Sequence, residues 1–151
     1  MKKSPEDERI ESLLRSSRLV ADGFLGRDER PLQQIIDADA ASLQKLGYTP
    51  EQVTEKMQQL TDAAKPMLGN PVQIDGLTVT YEDFKGVIVC PWPHPGRFAK
   101  AITTVKRIDT NRTIKWTDLN IHMIAEHSFF EGKGSEFRIE PELIIEIIFA
   151  E

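Results

Sequence analysis

Residues 90–140 read CPWPHPGRFAKAITTVKRIDTNRTIKWTDLNIHMIAEHSFFEGKGSEFRIE. This stretch holds the only cysteine, all three histidines and both tryptophans of the 151-residue chain. Three prolines near its start fix the backbone of a short loop, since each proline restricts its own φ and the residue before it. Alternating β-branched residues follow, and then a segment with helical spacing. The stretch therefore predicts a stiff loop, a β-hairpin and a helix, in that order.

The hairpin is expected from 98–107 and 113–117, with its turn across 109–112. Thr117 is typical of the residue that caps a helix, and an aspartate in the first turn supports the same start. That helix is expected to end near Ser128, because a glycine-rich loop follows it.

Two segments after this helix complete the C-terminal part. Residues 136–139 are expected to form a last strand. The apolar run 141–149 fits a buried strand or a buried helix, and proline at its first position together with glutamates four residues apart favours a helix.

The sequence before the quoted stretch changes from helical spacing to strand alternation near residue 70. Residues 72–74 and 77–81 flank Asp75-Gly76, a dipeptide that suits a type I′ hairpin turn. A separate β-branched run, 87–89, predicts a strand that leads directly into the cysteine.

Residues 1–69 predict three amphipathic helices. The first begins at Ser4, whose hydroxyl caps a free amide ahead of a proline, and its apolar stripe continues to Phe24. The second is expected from Pro31 to Gly47, and a capping box beginning with threonine opens the third.

One charged residue interrupts the apolar stripe of the second helix. Asp39 lies in the middle of that face, and Ser17 has the matching place on the first helix. Because burial of an unpaired carboxylate is costly, we expect Asp39 to have a side-chain partner, with Ser17 as one candidate. A buried polar contact or a partly hydrated subunit interface explains it better than a catalytic acid.

Together these elements predict an α+β fold. An N-terminal helical hairpin or bundle packs on a small antiparallel sheet, and one or two helices follow at the C-terminal end. We expect a single domain spanning 1–151, with a helical subdomain at 1–69 and an α+β subdomain at 70–151 that carries the cysteine and histidines.

Two pairs of metal-ligand residues lie on the predicted loop and helix. They are Cys90 with His94, and His122 with His127. Their order around a hairpin resembles the ββα arrangement of zinc fingers and of ββα-metal nucleases, although this chain has one cysteine where a zinc finger has two, and a longer separation between the pairs. Zinc is the cofactor that these donor types suggest, and ordinary hydrogen-bonded histidines are the alternative.

The number of ligands would decide what such a metal does. Four protein side chains bound to the metal indicate a structural ion, whereas three side chains and a bound water would permit hydrolysis. In the hydrolytic case, Glu126 or Glu131 is the candidate base.

The hairpin is also a candidate binding surface, because cations outnumber acids along it. An anionic small molecule, an acidic protein surface or RNA could bind there, with tryptophan as a stacking face. A solvated outer face that protects a sheet edge is the alternative explanation. The candidate ligand-binding residues are Trp92, Arg97, Lys100, Lys106, Arg107 and Trp116.

Composition limits the other function classes. The net charge of −5 argues against nucleic-acid binding over the whole surface. A single cysteine cannot form an intramolecular disulfide, the start MKKSPEDERIE lacks the apolar core of a signal peptide, and no apolar run reaches the about 20 residues that span a bilayer. We therefore expect a cytoplasmic protein. Separately, the N-terminal helices are a candidate surface for self-association.

Two functional hypotheses remain. The first, which the sequence favours, is a binding or interaction module that holds an anionic ligand or partner through the basic hairpin and the tryptophan-containing loop. The second is a zinc-binding protein whose cysteine and histidine cluster is structural or hydrolytic.

Overall fold

The computed structural model describes residues 4–16 and 23–149. Within these ranges the chain forms five α-helices and four strands, and a short 3₁₀ turn, Lys65–Met67, follows the third helix. The elements are α1 Pro5–Arg15, α2 Leu32–Lys45, α3 Pro50–Ala64, β1 Val72–Ile74, β2 Leu77–Val89, β3 Arg97–Arg107, β4 Thr113–Thr117, α4 Asp118–His127 and α5 Pro141–Ile148.

The four strands form one antiparallel sheet in the order β1-β2-β3-β4. Asp75 and Gly76 connect β1 to β2 with φ of 53° and 77°, the two positive values that a type I′ turn requires. The α+β class, the N-terminal helices, the antiparallel sheet and the C-terminal helices are confirmed.

The larger hydrophobic core lies between the sheet and helices α3 and α5, and it draws residues from both sides of residue 70. Trp116 on β4 is fully buried in it, and its indole N–H donates to the Thr61 hydroxyl at 2.9 Å. That hydroxyl also lies 3.0 Å from the hydroxyl of Thr103. The polar atoms inside this core are therefore satisfied across α3, β3 and β4.

The smaller hydrophobic core joins α1, α2 and α4 to the loop that follows β2. Its buried members are Ile10, Leu14, Phe24, Leu25, Leu32, Ile35, Cys90, Leu119, Met123 and Phe129. Burial of these apolar side chains holds the loop against the helices. The cysteine thus lies at the border of a packed region and an open surface.

The second strand differs from the prediction, because residues 77–81 and 87–89 belong to one strand instead of two. Asp83 pairs with Ala101 and Val87 pairs with Ala99, so four steps along β2 face two steps along β3. The extra residues form a bulge in which Lys85 has a φ of 60°. The bulge lets β2 continue to pair with β3 on both sides of the point where the alternating strand pattern is interrupted.

The first helix is shorter than predicted. It ends at Arg15, because the backbone of Ser16 is extended and does not continue the helix. The backbone N–H of Phe24 then donates to the carbonyl of Leu14 at 2.7 Å, which brings the chain back onto the helix end. Ser17, the expected partner of Asp39, lies outside the described residues.

Asp39 is buried, as predicted, but its partner is Arg138. The two side chains are each 7% exposed and form a two-pronged ion pair, with Arg138 Nη2 donating to Asp39 Oδ1 at 2.8 Å.

Arg138 belongs to the segment 136–139, for which a strand was the wrong prediction. That segment forms turns and irregular backbone, and the N–H of Ile139 donates to the carbonyl of Phe130.

The interpretation of 141–149 as a helix is confirmed by α5. Among the helices of the described ranges, none combines the length and the apolar character needed to cross a bilayer.

Candidate metal centre

The end of β2, the proline loop and α4 bring the candidate ligands together. Cys90 is the first residue after β2, and His94 lies four residues further along the loop. His122 and His127 lie on α4, which starts with a capping box in which Thr117 accepts from the backbone N–H of Asn120 at 3.0 Å. The cap fixes the start of the helix, and so the direction in which both histidines project.

The four ligand atoms form one compact group, within 4.8 Å of one another. The Nε2 atom of His94 lies 3.0 Å from that of His122 and 3.3 Å from that of His127. The thiol sulfur of Cys90 lies 3.5 Å from Nε2 of His127. The predicted approach of His94 to His122, with the other two residues completing the cluster, is confirmed.

Three of these distances are close to the edges of a tetrahedral zinc site. With Zn–N bonds of about 2.05 Å and a Zn–S bond of about 2.3 Å, a tetrahedron separates two nitrogens by about 3.3 Å and sulfur from nitrogen by about 3.6 Å. The other separations lie within 4.8 Å, so one cysteine and three histidines could hold a metal ion after a closing movement of the side chains.

A backbone contact determines which nitrogen of His94 faces the cluster. Its Nδ1 lies 3.0 Å from the carbonyl oxygen of Pro95, which can only accept a hydrogen bond. Nδ1 therefore carries the proton, and Nε2 presents its lone pair toward the other two imidazoles. A metal-ligating histidine typically has this arrangement, in which the second nitrogen donates to an oxygen.

Aromatic rings hold the other two imidazoles. The Trp92 ring stacks on His127 with centroids 4.1 Å apart and an interplanar angle of 7°. Phe98, at the start of β3, packs against His122 with centroids 4.4 Å apart. These contacts restrict ring rotation and so reduce the entropy lost when a ligand geometry is fixed.

Burial keeps the two imidazoles on α4 neutral. Burial is the larger cause and the proximity of other histidines the smaller one; together they lower the pKa of His127 to about 4 and also lower the pKa of His122. Burial raises the pKa of the Cys90 thiol, against which a backbone hydrogen bond from Trp92 acts. Neutral imidazoles are the form that binds metals, and a metal cation would compensate for the buried thiolate.

His94 bridges the two histidines of α4. His122 and His127 both lie inside the helix and point about 140° apart on ideal geometry, and Nε2 of His94 lies close to Nε2 of each. The helix ends at His127, and Ser128 has a left-handed backbone with a φ of 52°. The carbonyl end of the helix dipole therefore lies beside the cluster, where it favours a cation.

The two candidate bases lie in different surroundings. Glu126 is exposed on α4 next to His127. Glu131 is only 3% exposed, and its carboxylate accepts from Asn120 Nδ2 at 2.7 Å and from the Ser135 hydroxyl at 3.0 Å. Burial raises the pKa of Glu131 to about 7, although those two hydrogen bonds lower it. Glu131 thus belongs to a buried hydrogen-bond network between α4 and the following loop.

The candidate anion-binding residues are divided between core and surface. Trp116 is fully buried, so its ring presents no face for stacking. Arg107 is 8% exposed and its guanidinium donates to Asp109 and to the carbonyl of Ile147. Arg97, Lys100 and Lys106 are exposed along β3, and Trp92 is half-buried against His127.

Sequence reasoning found the four candidate ligands but missed the groups that orient them. The carbonyl of Pro95 and the stacking of Trp92 on His127 depend on how the loop folds. Phe98 offered a weak signal, since an aromatic residue follows the proline loop.

Comparison with protein-family models, with curated proteins and with solved structures finds no match to this chain. The interpretation of the cluster therefore rests on its distances and its donor atoms.

Proposed function

We propose that the protein binds one zinc ion through Cys90, His94, His122 and His127, and that the ion is structural. The observation that carries this proposal is the convergence of three imidazole nitrogens and one sulfur within 4.8 Å of one another, with three of their separations close to the edge lengths of a tetrahedron. Imidazole and thiolate are the ligands that zinc prefers in four-coordinate sites.

Four protein donors favour a structural ion over a catalytic one. A tetrahedral site with four side chains has no position left for the water that hydrolysis needs. The site also joins the end of β2 to α4 at the smaller core. A bound ion would cross-link elements about 30 residues apart in sequence, and it would stabilise the fold through its preference for the folded state.

The hydrolytic alternative has less support. Glu131 is held by Asn120 and Ser135 inside the protein, and Glu126 is exposed to solvent. Neither contact pattern aims a carboxylate at a metal-bound water.

Elemental analysis of untagged protein tests the proposal. We expect about one zinc per chain in the wild type and less than a tenth of that in a His94→Ala, His122→Ala double variant. Glu126→Gln is the matched control on α4, and it should retain the full metal content. A metal-free wild type under zinc-replete expression, or equal zinc in the double variant, would refute the proposal.

A further inference from the structure

A buried carboxyl group and an exposed one line the same cavity. The cavity has a volume of about 270 Å³ and lies between the β2 bulge, β3 and the loop that joins α4 to α5. Glu131, which is 3% exposed, lines it together with the exposed Glu136 and with Phe137. Among the described residues that line the cavity, none belongs to the metal cluster. The cavity is therefore separate from the centre described above.

Residues 135–137, which we call the flap, lie between two fixed parts of that loop. Before the flap, the backbone N–H of Arg27 donates to the carbonyl of Lys133 at 3.0 Å. After it, the N–H of Ile139 donates to the carbonyl of Phe130 at 3.0 Å. The backbone hydrogen bonds at the two ends of the flap are longer, at 3.2 and 3.4 Å. The flap can therefore move while the rest of the loop stays in place.

Two side chains connect the flap to Glu131. The hydroxyl of Ser135 lies 3.0 Å from one carboxyl oxygen of Glu131. Nδ2 of Asn120 donates to the other oxygen at 2.7 Å and also to the backbone carbonyl of Phe137 at 3.3 Å. The state of the Glu131 carboxyl group therefore affects contacts at both ends of the flap.

The closed arrangement suits a neutral Glu131 better than a charged one. The Ser135 hydroxyl can donate to a carboxylate or accept from a carboxylic acid, so either form keeps this hydrogen bond. Burial raises the pKa of Glu131 to about 7, although the hydrogen bonds from Ser135 and Asn120 lower it. Desolvation of the charge thus outweighs the two hydrogen bonds.

The charged groups in the same loop do not compensate for a negative charge on Glu131. Arg138 is close enough to act on it, but the Arg138 guanidinium forms ion pairs with Asp39 and Glu140. Glu136, on the flap, adds a like charge. A charged Glu131 is therefore relieved mainly by water.

Two lysines approach from the sheet. Lys100 on β3 lines the cavity, and the ammonium group of Lys115 on β4 lies 3.6 Å from the Glu136 carboxylate and 4.8 Å from the centre of the Phe137 ring. Both lysines are exposed, so solvent weakens their attraction for a buried carboxylate.

We propose that residues 135–137 form a pH-sensitive flap over the cavity, closed when Glu131 is protonated and open when it is charged. Opening admits water to the cavity, where it hydrates the carboxylate, and the proton is released to solvent. Metal binding is not required for this movement.

The direction of the pH effect follows from proton binding. The closed state binds the Glu131 proton more tightly than an open, hydrated state does, in which the pKa returns to its ordinary 4.5. The flap is therefore most firmly closed below pH 4.5, and the closed population falls as the pH rises to 7.

Amide hydrogen exchange at pH 5 and at pH 7, each divided by the intrinsic exchange rate at that pH, tests the flap. In the wild type we expect the protection of the peptide that covers 135–137 to fall by at least about tenfold between these values. At pH 7 this peptide should be at least about tenfold less protected than α3, because the flap opens without global unfolding.

Two variants identify the group responsible. Glu131→Gln keeps a neutral side chain that can hydrogen-bond to Asn120 and Ser135, and it should reduce the pH effect to less than about twofold. Glu136→Gln is the matched control, because it removes an exposed carboxylate from the flap itself. That variant should keep an effect of at least about tenfold.

Carboxyl ¹³C NMR of the wild-type protein provides an arm that needs no variant. The Glu131 signal should titrate with a midpoint at about 7. Three results would overturn the proposal: equal pH effects in the wild type and folded Glu131→Gln, equal protection of the flap and α3 at pH 7, or a Glu131 midpoint below about 5.

Discussion

Asp39 and Arg138 form a buried ion pair between α2 and the loop before α5. Asp39→Ala removes two charge-assisted hydrogen bonds from a buried guanidinium that keeps Glu140 as its other ion-pair partner, so it should lower the free energy of unfolding by about 2 kcal/mol. Asp37→Ala is the control, because Asp37 is exposed and contacts Gln33 on the same helix. That change should stay within about 0.5 kcal/mol. Urea unfolding measures both, and equal effects would contradict the burial argument.

Glu131 makes stability depend on pH. Burial raises its pKa from 4.5 to about 7, so the folded state binds this proton more tightly than the unfolded state does. The contribution of Glu131 to the free energy of unfolding should therefore be greatest below pH 4.5. It should fall by about 3 kcal/mol as the pH rises to 7.

Glu131→Gln isolates this contribution from the other groups that titrate in the same range. The amide can still accept from Asn120, but it carries no charge at any pH. The difference in unfolding free energy between wild type and variant should shift in favour of the variant as the pH rises. A difference that is constant from acid to neutral pH would show that Glu131 is not perturbed.

At the scale of elements, the start of α4 determines where two of the candidate ligands point. Thr117→Val keeps the shape of the side chain and removes the hydroxyl that accepts from Asn120. Loss of this cap should cost about 1 kcal/mol of unfolding free energy. Thr113→Val, at the exposed start of β4, should cost nothing measurable. Equal values from thermal unfolding of the two variants would contradict the importance of the cap.

Local sequence signals predicted the elements better than their ends. The cap at Thr117 and the turn at Asp75-Gly76 follow from residues next to each other, and both are present. The bulge in β2 depends on pairing with β3, and the pattern of a single strand does not contain that information. The early end of α1 likewise depends on the return of Phe24 to Leu14.

The candidate site was predictable as a set of residues but not as a geometry. Cys90, His94, His122 and His127 were the only residues of their types, and the short hairpin between them predicted that loop and helix return to one place. The partner of Asp39 was not predictable, because Arg138 lies 99 residues away and no pattern connects them. Contacts between backbone and side chain, such as Pro95 with His94, leave no sequence signal.

At the scale of the whole molecule, the two hydrophobic cores should respond differently to metal removal. The smaller core contains Cys90 and packs against Trp92, whereas the larger core contains none of the four ligands among its described members. Chelation should therefore raise amide hydrogen exchange in α1, in the loop 90–96 and in α4. Exchange in α3 and in residues 77–81 of β2 should change little, because the protection of these residues comes from the larger core.

Hydrogen exchange read by mass spectrometry, with and without a zinc chelator, measures this difference. In a separate thermal unfolding scan, the same chelator should lower the midpoint by about 10 °C, since a structural ion supplies several kcal/mol to a domain of this size. A uniform rise in exchange over both cores would contradict a local role for the ion.

X-ray absorption at the zinc edge tests the central claim most directly. The account predicts a four-coordinate ion with one sulfur at about 2.3 Å and three nitrogens at about 2.0 Å. Cys90→Ser should remove the sulfur distance and leave the nitrogens in place. Two results would contradict a zinc ion held by Cys90, His94, His122 and His127. One is a zinc coordination shell without sulfur in the wild-type protein, and the other is a shell of six oxygen and nitrogen ligands.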